Sequence, residues 1–361
     1  MAQRLDPNVV RAFIIENVSG HPGEIARLVA EHFAVSRQTA HAHLKRMVNA
    51  GELAAVGKAR HRRYDLVIKE SYRDFDLVRE RDEDVAWREF VGPLLDGLPS
   101  EVDKICHHGF TEMFNNAYDH SEGSTAEVAV KRSPAKVEIA IHDDGVGIFE
   151  KIRSRFNLED HRHAILELSK GKLTTDPKNH SGEGIYFTSR FFDSYRILSS
   201  HLSFSHVTEG EDWLIESRED PHSGTTVFME ISTTSTRSVQ QVYDRHIRDT
   251  DENEFAFTRT HVPLRLAIYG NDGLVSRSQA KRVLARFERF REVLLDFTGI
   301  ETIGQGFADE IFRVFKNAHP DVNILYVNVN ENIRRMIRHV TAPGGAMPFS
   351  DAPNSMSNPQ D

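Results

Sequence analysis

The spacing of apolar positions changes several times along the chain, and each change predicts a different element. From Asp6 to Asn17 the pattern is helical, and a second helix is predicted from near Pro22, a residue suited to a first turn. In it Ile25, Leu28 and Val29 share one face. Ala34-Val35 reads as a turn, Ser36 as an N-cap, and Ala40, Leu44, Met47 and Val48 as the apolar stripe of a third helix ending near Asn49. After Gly51, Leu53–Val56 and Arg63–Leu66 read as two strands flanking a basic turn. Residues 67–100 are dense in charge, with one helix predicted around Asp82 to Leu95, and are expected to form a helical linker.

The middle of the chain, 101–245, opens on a predicted helix over 101–120. Strands follow at Thr125–Lys131 and Lys136–His142, where Val137, Ile139 and Ile141 alternate with polar neighbours. A polar helical stretch, Phe149 to Lys170, precedes a glycine-containing segment, and strands near 194–200, 211–217 and 225–232 complete a predicted mixed sheet with helices on one face. Residues 255–341 read as βαβαβα, with strands Leu264–Tyr269, Val293–Phe297 and Asn323–Val329 and helices near Ser276–Arg291, Gln305–Ala318 and Glu331–His339. Residues 342–361 have the composition of a disordered tail. The expected class is therefore α/β multidomain: 1–66, a linker at 67–100, 101–245, 255–341 and a tail.

Composition narrows this picture. A chain of 361 residues with 39% hydrophobic content accommodates two or three cored domains. No run approaches the roughly 18 apolar residues that span a bilayer. The first five residues lack the apolar segment of a secretory signal, and the single cysteine, Cys106, rules out an internal disulfide framework. A cytoplasmic protein with no membrane partner is expected. The net charge of −9 divides unevenly: residues 1–65 carry ten Lys/Arg against six Asp/Glu, a balance of +4, and the rest carries −13. A basic head on an acidic body fits nucleic-acid contact confined to the amino terminus, although an ordinary solvated surface accounts for the charge alone.

The chemistry concentrates in four segments: Glu112-Met113-Phe114-Asn115-Asn116-Ala117, Asp143-Asp144-Gly145-Val146-Gly147-Ile148, Ser181-Gly182-Glu183-Gly184-Ile185 and Gly224-Thr225-Thr226-Val227. Four-residue spacing puts Glu112 and Asn116 on one helix face. The glycines let backbone approach a polyanion closely. In this order the four resemble the boxes of the GHKL ATP-binding family, which includes DNA gyrase, MutL, heat-shock chaperones, sensor histidine kinases and anti-sigma serine kinases. The resemblance implies ATP and Mg²⁺ as cofactors, with Asn116 as the metal ligand and Glu112 as the catalytic acid that polarises water. It further implies that Asp143 accepts from the adenine amine, that Gly145, Gly147, Gly182 and Gly184 shape the nucleotide site, and that Thr225 completes it. The plainer accounts are a salt-bridging surface Glu112, ordinary turn glycines and strand threonines. His180 stands where the histidine-kinase glycine box has a further glycine, and Lys172 and Lys178 fall in the presumed lid. Asn116-Ala117-Tyr118-Asp119-His120 looks most like the anti-sigma serine kinases, and no separate dimerisation hairpin precedes the domain.

The flanking regions carry resemblances of their own. Residues 1–66 resemble a winged helix-turn-helix, which implies DNA as a partner. Arg37, Gln38, Thr39 and His41 then meet base edges, and Lys45, Arg46, Lys58, Arg60, Arg62 and Arg63 meet phosphates. A winged helix serving protein contacts is the alternative. Asp296 to Gly306 resembles the centre of STAS domains, with Gly304 and Gln305 where those carry an Asp-Ser pair. That implies a protein partner, or self-association, through the carboxyl-terminal domain. The function expected is an ATP-responsive DNA-binding regulator, in which Mg-ATP and slow hydrolysis switch the packing of the outer domains. The alternatives are an anti-sigma-type serine/threonine kinase acting on an external partner, a non-hydrolysing ATP-binding interaction module, and a defence or stress ATPase without DNA specificity.

Overall fold

The computed structural model describes residues 5–58, 61–79, 82–174, 182–207, 213–216, 222–249, 255–268 and 273–342. Arg60, Lys178, His180, Ser181 and the stretch from 343 onward lie outside them. The chain divides into two compact units, Met1–Thr258 and Arg259–Asp361.

The first unit begins with α1 (Pro7–Val18), α2 (Ile25–His32) and α3 (Arg37–Asn49), then the hairpin of β1 (Leu53–Val56) and β2 (Arg63–Leu66). The caps are the ones the local sequence dictates: Asp6 Oδ1 accepts from Asn8 N at 2.8 Å, and Ser36 Oγ accepts from Thr39 N at 3.1 Å. The apolar faces meet in one core of Val10, Ile14, Val18, Ile25, Val29, Ala40, Leu44, Met47, Leu53 and Tyr64. The hairpin pairs Leu53 with Leu66 and Val56 with Arg63, and Tyr64 N reaches Pro22 O at 2.9 Å to hold it against α2.

Next comes β3 (Lys69–Asp76), then α4 (Glu83–Ala86), a π-helical turn at Trp87–Val91 and α5 (Gly92–Leu95), then the long α6 (Ser100–His120). The helical part of 67–100 matches expectation. Lys69–Asp76 is a correction, because it is not linker: it pairs antiparallel with β4 (Thr125–Arg132) at the edge of the main sheet. Only Phe75 is buried in it. Its charges obscured the strand, and charge is what an edge strand uses to discourage further pairing.

The sheet continues with β5 (Lys136–Asp143), β6 (Ser194–Ser200), β7 (Leu202–Val207), β8 (Trp213–Glu216) and β9 (His222–Ser232). Among the described residues the strand order is β3-β4-β5-β9-β6-β7-β8, and every pairing is antiparallel. The sheet is therefore antiparallel throughout, not mixed. β7 has no counterpart in the sequence reading. It returns from β6 through Ser200, which takes a positive φ of 54°, so no glycine advertises the turn. Between β5 and β6 lie α7 (Ile148–Phe156), α8 (His161–Ser169) and α9 (Gly184–Phe191). Val137, Ile139, Ile141, Val227, Met229, Tyr195 and Ile197 form the buried sheet face, against which α6 and α9 pack. Ala135, in the β4–β5 turn, packs against the amino-terminal core. The unit closes with α10 (Val239–His246) and the hairpin of β10 (Ile247–Asp249) and β11 (Phe255–Phe257).

The second unit is a parallel sheet of β12 (Arg259–Pro263), β13 (Glu292–Asp296) and β14 (Asn323–Val327), in that order. Its helices are α11 (Arg277–Leu284), α12 (Gln305–Asp309), continued by a π-helical turn at Glu310–Phe315 into α13 (Lys316–Ala318), and α14 (Glu331–Thr341). The βαβαβα order holds, but the first strand lies at 259–263 and not at 264–269. Leu264–Ala267 is a 3₁₀ turn whose buried apolar side chains imitate a strand, whereas Thr260 and Val262 are buried between the polar Arg259 and His261.

Candidate functional site

A cavity of about 310 Å³ opens where α6, α7 and the ends of β5 and β9 converge. Its floor is Ile141, Asp143, Thr225 and Val227. One wall is α6, through Glu112, Met113, Asn116, Ala117 and His120. Ile148, Lys151, Ile152 and Leu168 form the facing wall, and Leu173, Thr174, Gly182, Gly184 and Ile185 the roof. This volume and mix of apolar walls with a few polar groups suit a small organic ligand.

Asp143 is the last residue of β5 and only 6% exposed. Its Oδ1 accepts from Gly145 N at 3.0 Å and from Thr225 N at 3.3 Å. Both bonds end on one oxygen, so Oδ2 is left for a ligand. Burial raises its pKa above the ordinary carboxyl value, and the two amide donors oppose that rise without cancelling it. A buried acceptor with one uncommitted oxygen favours a ligand that offers an N–H and disfavours one that does not. Asp144, next in sequence, faces elsewhere. It accepts from Ser124 N, Thr125 N and Ser124 Oγ at 2.7–2.9 Å, which ties β4 to the turn.

The glycine turn after Asp143 is shaped by close approach. A Cβ at Gly145 would collide with the Ser121 carbonyl, and Gly147, at φ 86°, caps α7 against Ser199 Oγ. Thr225 Oγ1 accepts from Ile148 N at 2.9 Å, and Ser199 Oγ donates to Gly224 O at 2.9 Å. These two hydroxyls lock the turn onto the ends of β9 and β6.

On α6, Glu112 and Asn116 both face the cavity one turn apart, as their spacing required. The Asn116 amide reaches Met113 Sδ through Nδ2 at 3.8 Å, which leaves its carbonyl oxygen as a hard donor toward the cavity. The Glu112 carboxylate lies against Gly184, where any Cβ would collide with it, at the amino end of α9. Among the described residues no three His, Cys, Asp or Glu side chains are disposed to hold a metal ion. A cation beside Asn116 would need further oxygen donors, from water or from a bound ligand. In the roof, Leu173 N donates to Gly182 O at 3.1 Å, and Gly182 holds φ 75° with its Cα pressed on the Leu173 backbone.

Glu112, Asn116, Asp143, Gly182, Gly184 and Thr225 thus share one cavity, while Gly145 and Gly147 are not among its lining residues and instead shape the turn between Asp143 and α7. Sequence reasoning missed Lys151, Ser199 and Ser121. Lys151 brings a cation to the wall and pairs with Glu122 at 2.9 Å, and its one-turn spacing from Gly147 was the signal available. Ser199 and Ser121 act through packing and gave none. The remaining candidates form a separate surface: Arg37, Gln38, Thr39, His41, Lys45 and Arg46 are exposed on α3, and Lys58, Arg62 and Arg63 in and beside the hairpin. Cys106 is buried, with its thiol pushed up to about 12, and is inert at neutral pH. Among the described residues no helix is long and apolar enough to cross a membrane.

In the second unit Gly304 N donates to Leu274 O at 2.8 Å, and a Cβ on Gly304 would meet the Val275 backbone at 2.6 Å. No curated protein matches the chain. A family model described as a STAS-like domain of unknown function (DUF4325) matches residues 279–334, so the second unit carries a STAS-like domain.

Proposed function

We propose that the chain is an ATP-responsive regulator that joins a DNA-binding winged helix, a GHKL-type nucleotide switch and the STAS-like domain. The observation that carries this reading is the convergence of Glu112, Asn116, Asp143, Gly182, Gly184 and Thr225, from four distant segments, on one cavity. In this reading Asp143 selects adenine through its exocyclic amine, and Asn116 holds Mg²⁺, which would neutralise phosphate charge. Glu112 orients water for slow hydrolysis. Glu112→Ala then retains ATP binding and abolishes phosphate release. Unchanged release removes Glu112 as the base.

The exposed Arg37, Gln38, Thr39 and His41 near the start of α3, with basic residues in the hairpin, support a duplex contact in which α3 reads bases and the hairpin holds phosphates. A cleft of about 500 Å³ between this domain and the sheet is lined by Arg11, Glu52, Lys69 and Arg132. The deciding measurement is DNA affinity against salt concentration, with and without Mg-ATP. A nucleotide-dependent change in affinity supports the reading, and identical salt curves refute the switch.

A second reading, an anti-sigma-type kinase acting on an external Ser or Thr, rests on the Asn116-to-His120 motif. Gln305, which stands in the serine's place of the STAS comparison, carries no hydroxyl, which argues against an acceptor within this chain at that place. Transfer of label from ATP to a protein in extract, instead of to free phosphate, favours the kinase.

A further inference from the structure

We propose that β14 is a self-association edge: two copies of this chain join by antiparallel pairing of their β14 strands about a twofold axis at Leu325, whether or not the cavity of the first unit takes a nucleotide. Two three-stranded sheets then become one continuous sheet.

β14 is the outer strand of the parallel sheet and is bonded on one side only. Its ladder to β13 uses the odd-numbered residues: Asn323 N donates to Arg291 O at 2.7 Å, and Val327 O accepts from Phe297 N at 3.2 Å. Backbone groups alternate in direction along a strand, so the N–H and C=O of Ile324 and Tyr326 point to the free edge. Leu325 and Tyr326 are 39% and 40% exposed. An open edge invites a further strand, and proteins usually guard it with charge, proline or a bulge. β14 has none of these guards. From Val322 to Asn330 no residue is charged and none is proline, and the register with β13 is unbroken. The contrast is β3, the edge of the main sheet, where Lys69, Glu70, Arg73, Asp74 and Asp76 are all charged. One edge is built to refuse a partner and the other is not.

The strand's own sequence selects a second copy as that partner. An antiparallel pair centred on Leu325 sets Ile324 of each copy opposite Tyr326 of the other, so every outward N–H and C=O of both strands is matched. A β-branched side chain facing an aromatic one is a favourable cross-strand pair. These side chains share the helix-covered face, where the Tyr326 ring already lies 5.8 Å from that of Phe312. On the opposite face Leu325 meets Leu325 of the second copy, in line with Leu294 of β13. Because the strand and its flanks are neutral, no like charges oppose each other in this pairing. Other centres fit less well. Moving the axis to Ile324 sets Tyr326 against Val322, whose N–H is already donated to His319 O at 3.2 Å.

The test uses the full chain. Sedimentation velocity over a concentration series should show a wild-type dimer. Leu325→Lys and Leu325→Glu put like charges at the axis and should each weaken it roughly tenfold or more, with unchanged circular dichroism because Leu325 is exposed. Mixing the two variants should restore the dimer, since Lys then faces Glu. Facing residues at the axis lie about 4.5 Å apart, so oxidation of Leu325→Cys should give a disulfide-linked dimer, whereas Asn323→Cys, opposite Val327, should not. The native Cys106 is buried and adds no background. A monomeric wild type overturns the proposal and leaves the edge to a different partner. A dimer indifferent to both charges, or one that cross-links no better at 325 than at 323, places self-association elsewhere and also overturns it. The cross-linking comparison decides even if the charged variants do not fold.

Discussion

Two of the aspartates that end strands in this molecule, Asp143 and Asp296, meet different fates. Asp143 closes β5 and Asp296 closes β13, and each is followed within three residues by a glycine. Asp296 is saturated. Its Oδ1 accepts from Thr298 N, Thr298 Oγ1 and Asn328 Nδ2 at 2.7–2.9 Å, and its Oδ2 lies 3.1 Å from His261 Nε2. Burial opposes its charge, yet these hydrogen bonds outweigh burial and hold its carboxyl well below the usual range. Asp143 has two donors, both on one oxygen, and its carboxyl is raised. A saturated carboxylate is structure: it pins the ends of three parallel strands. A half-satisfied buried carboxylate beside a cavity keeps one oxygen able to accept a further hydrogen bond.

The sharpest way to break this comparison is to delete the saturated member. Asp296→Ala strands several donors and should destabilise the second unit by about 3 kcal/mol, while leaving ATP affinity unchanged. Denaturant unfolding and calorimetry on the same variant check both halves. Equal loss in both assays would merge the two roles. Asp143→Asn comes next: the amide retains an oxygen for Gly145 N and Thr225 N but loses the charge aimed at a ligand amine. Mg-ATP should bind roughly 10- to 100-fold more weakly, with a thermal midpoint at neutral pH equal to or above that of the wild type. A drop in both would mean that Asp143 is structural after all.

Thr225→Val keeps the shape but leaves Ile148 N without its acceptor, so a loss of about 1 kcal/mol in stability is expected, read from the shift of the urea midpoint. The smallest effect is the response to pH, and its signs are opposite for the two residues. The raised Asp143 contributes stability below its ordinary value of 3.8 that is lost as pH climbs through its folded value. The depressed Asp296 contributes stability above 3.8 that is lost as pH falls. Thermal midpoints across acid to neutral pH should therefore show a flatter acid-side fall for Asp296→Asn than for the wild type, and the reverse for Asp143→Asn.

The difference between the two aspartates was only half visible in the sequence. Asp143-Asp144-Gly145-Val146-Gly147 marked itself by its glycines, but only the fold shows that the Asp144 carboxylate serves Ser124 and Thr125. Nothing near Asp296 announced His261 or Asn328, which arrive from neighbouring parallel strands 35 and 32 residues away. Lys69–Asp76 illustrates the same limit, because one buried phenylalanine among charges is a strand only once β4 lies beside it.

Local patterns, then, determined the amino-terminal helices and their caps, the hairpin, the long α6 with Glu112 and Asn116 on one face, and the order of the carboxyl-terminal elements, because each depends on spacing and on neighbours within a turn or two. Tertiary structure alone decided that β3 is an edge, that the main sheet is antiparallel throughout, that Lys151 and Ser121 line the cavity, and that Phe257 covers Gly171. These depend on which surfaces meet across long stretches of chain, and burial and hydrogen-bond satisfaction select among such pairings only after the chain has closed.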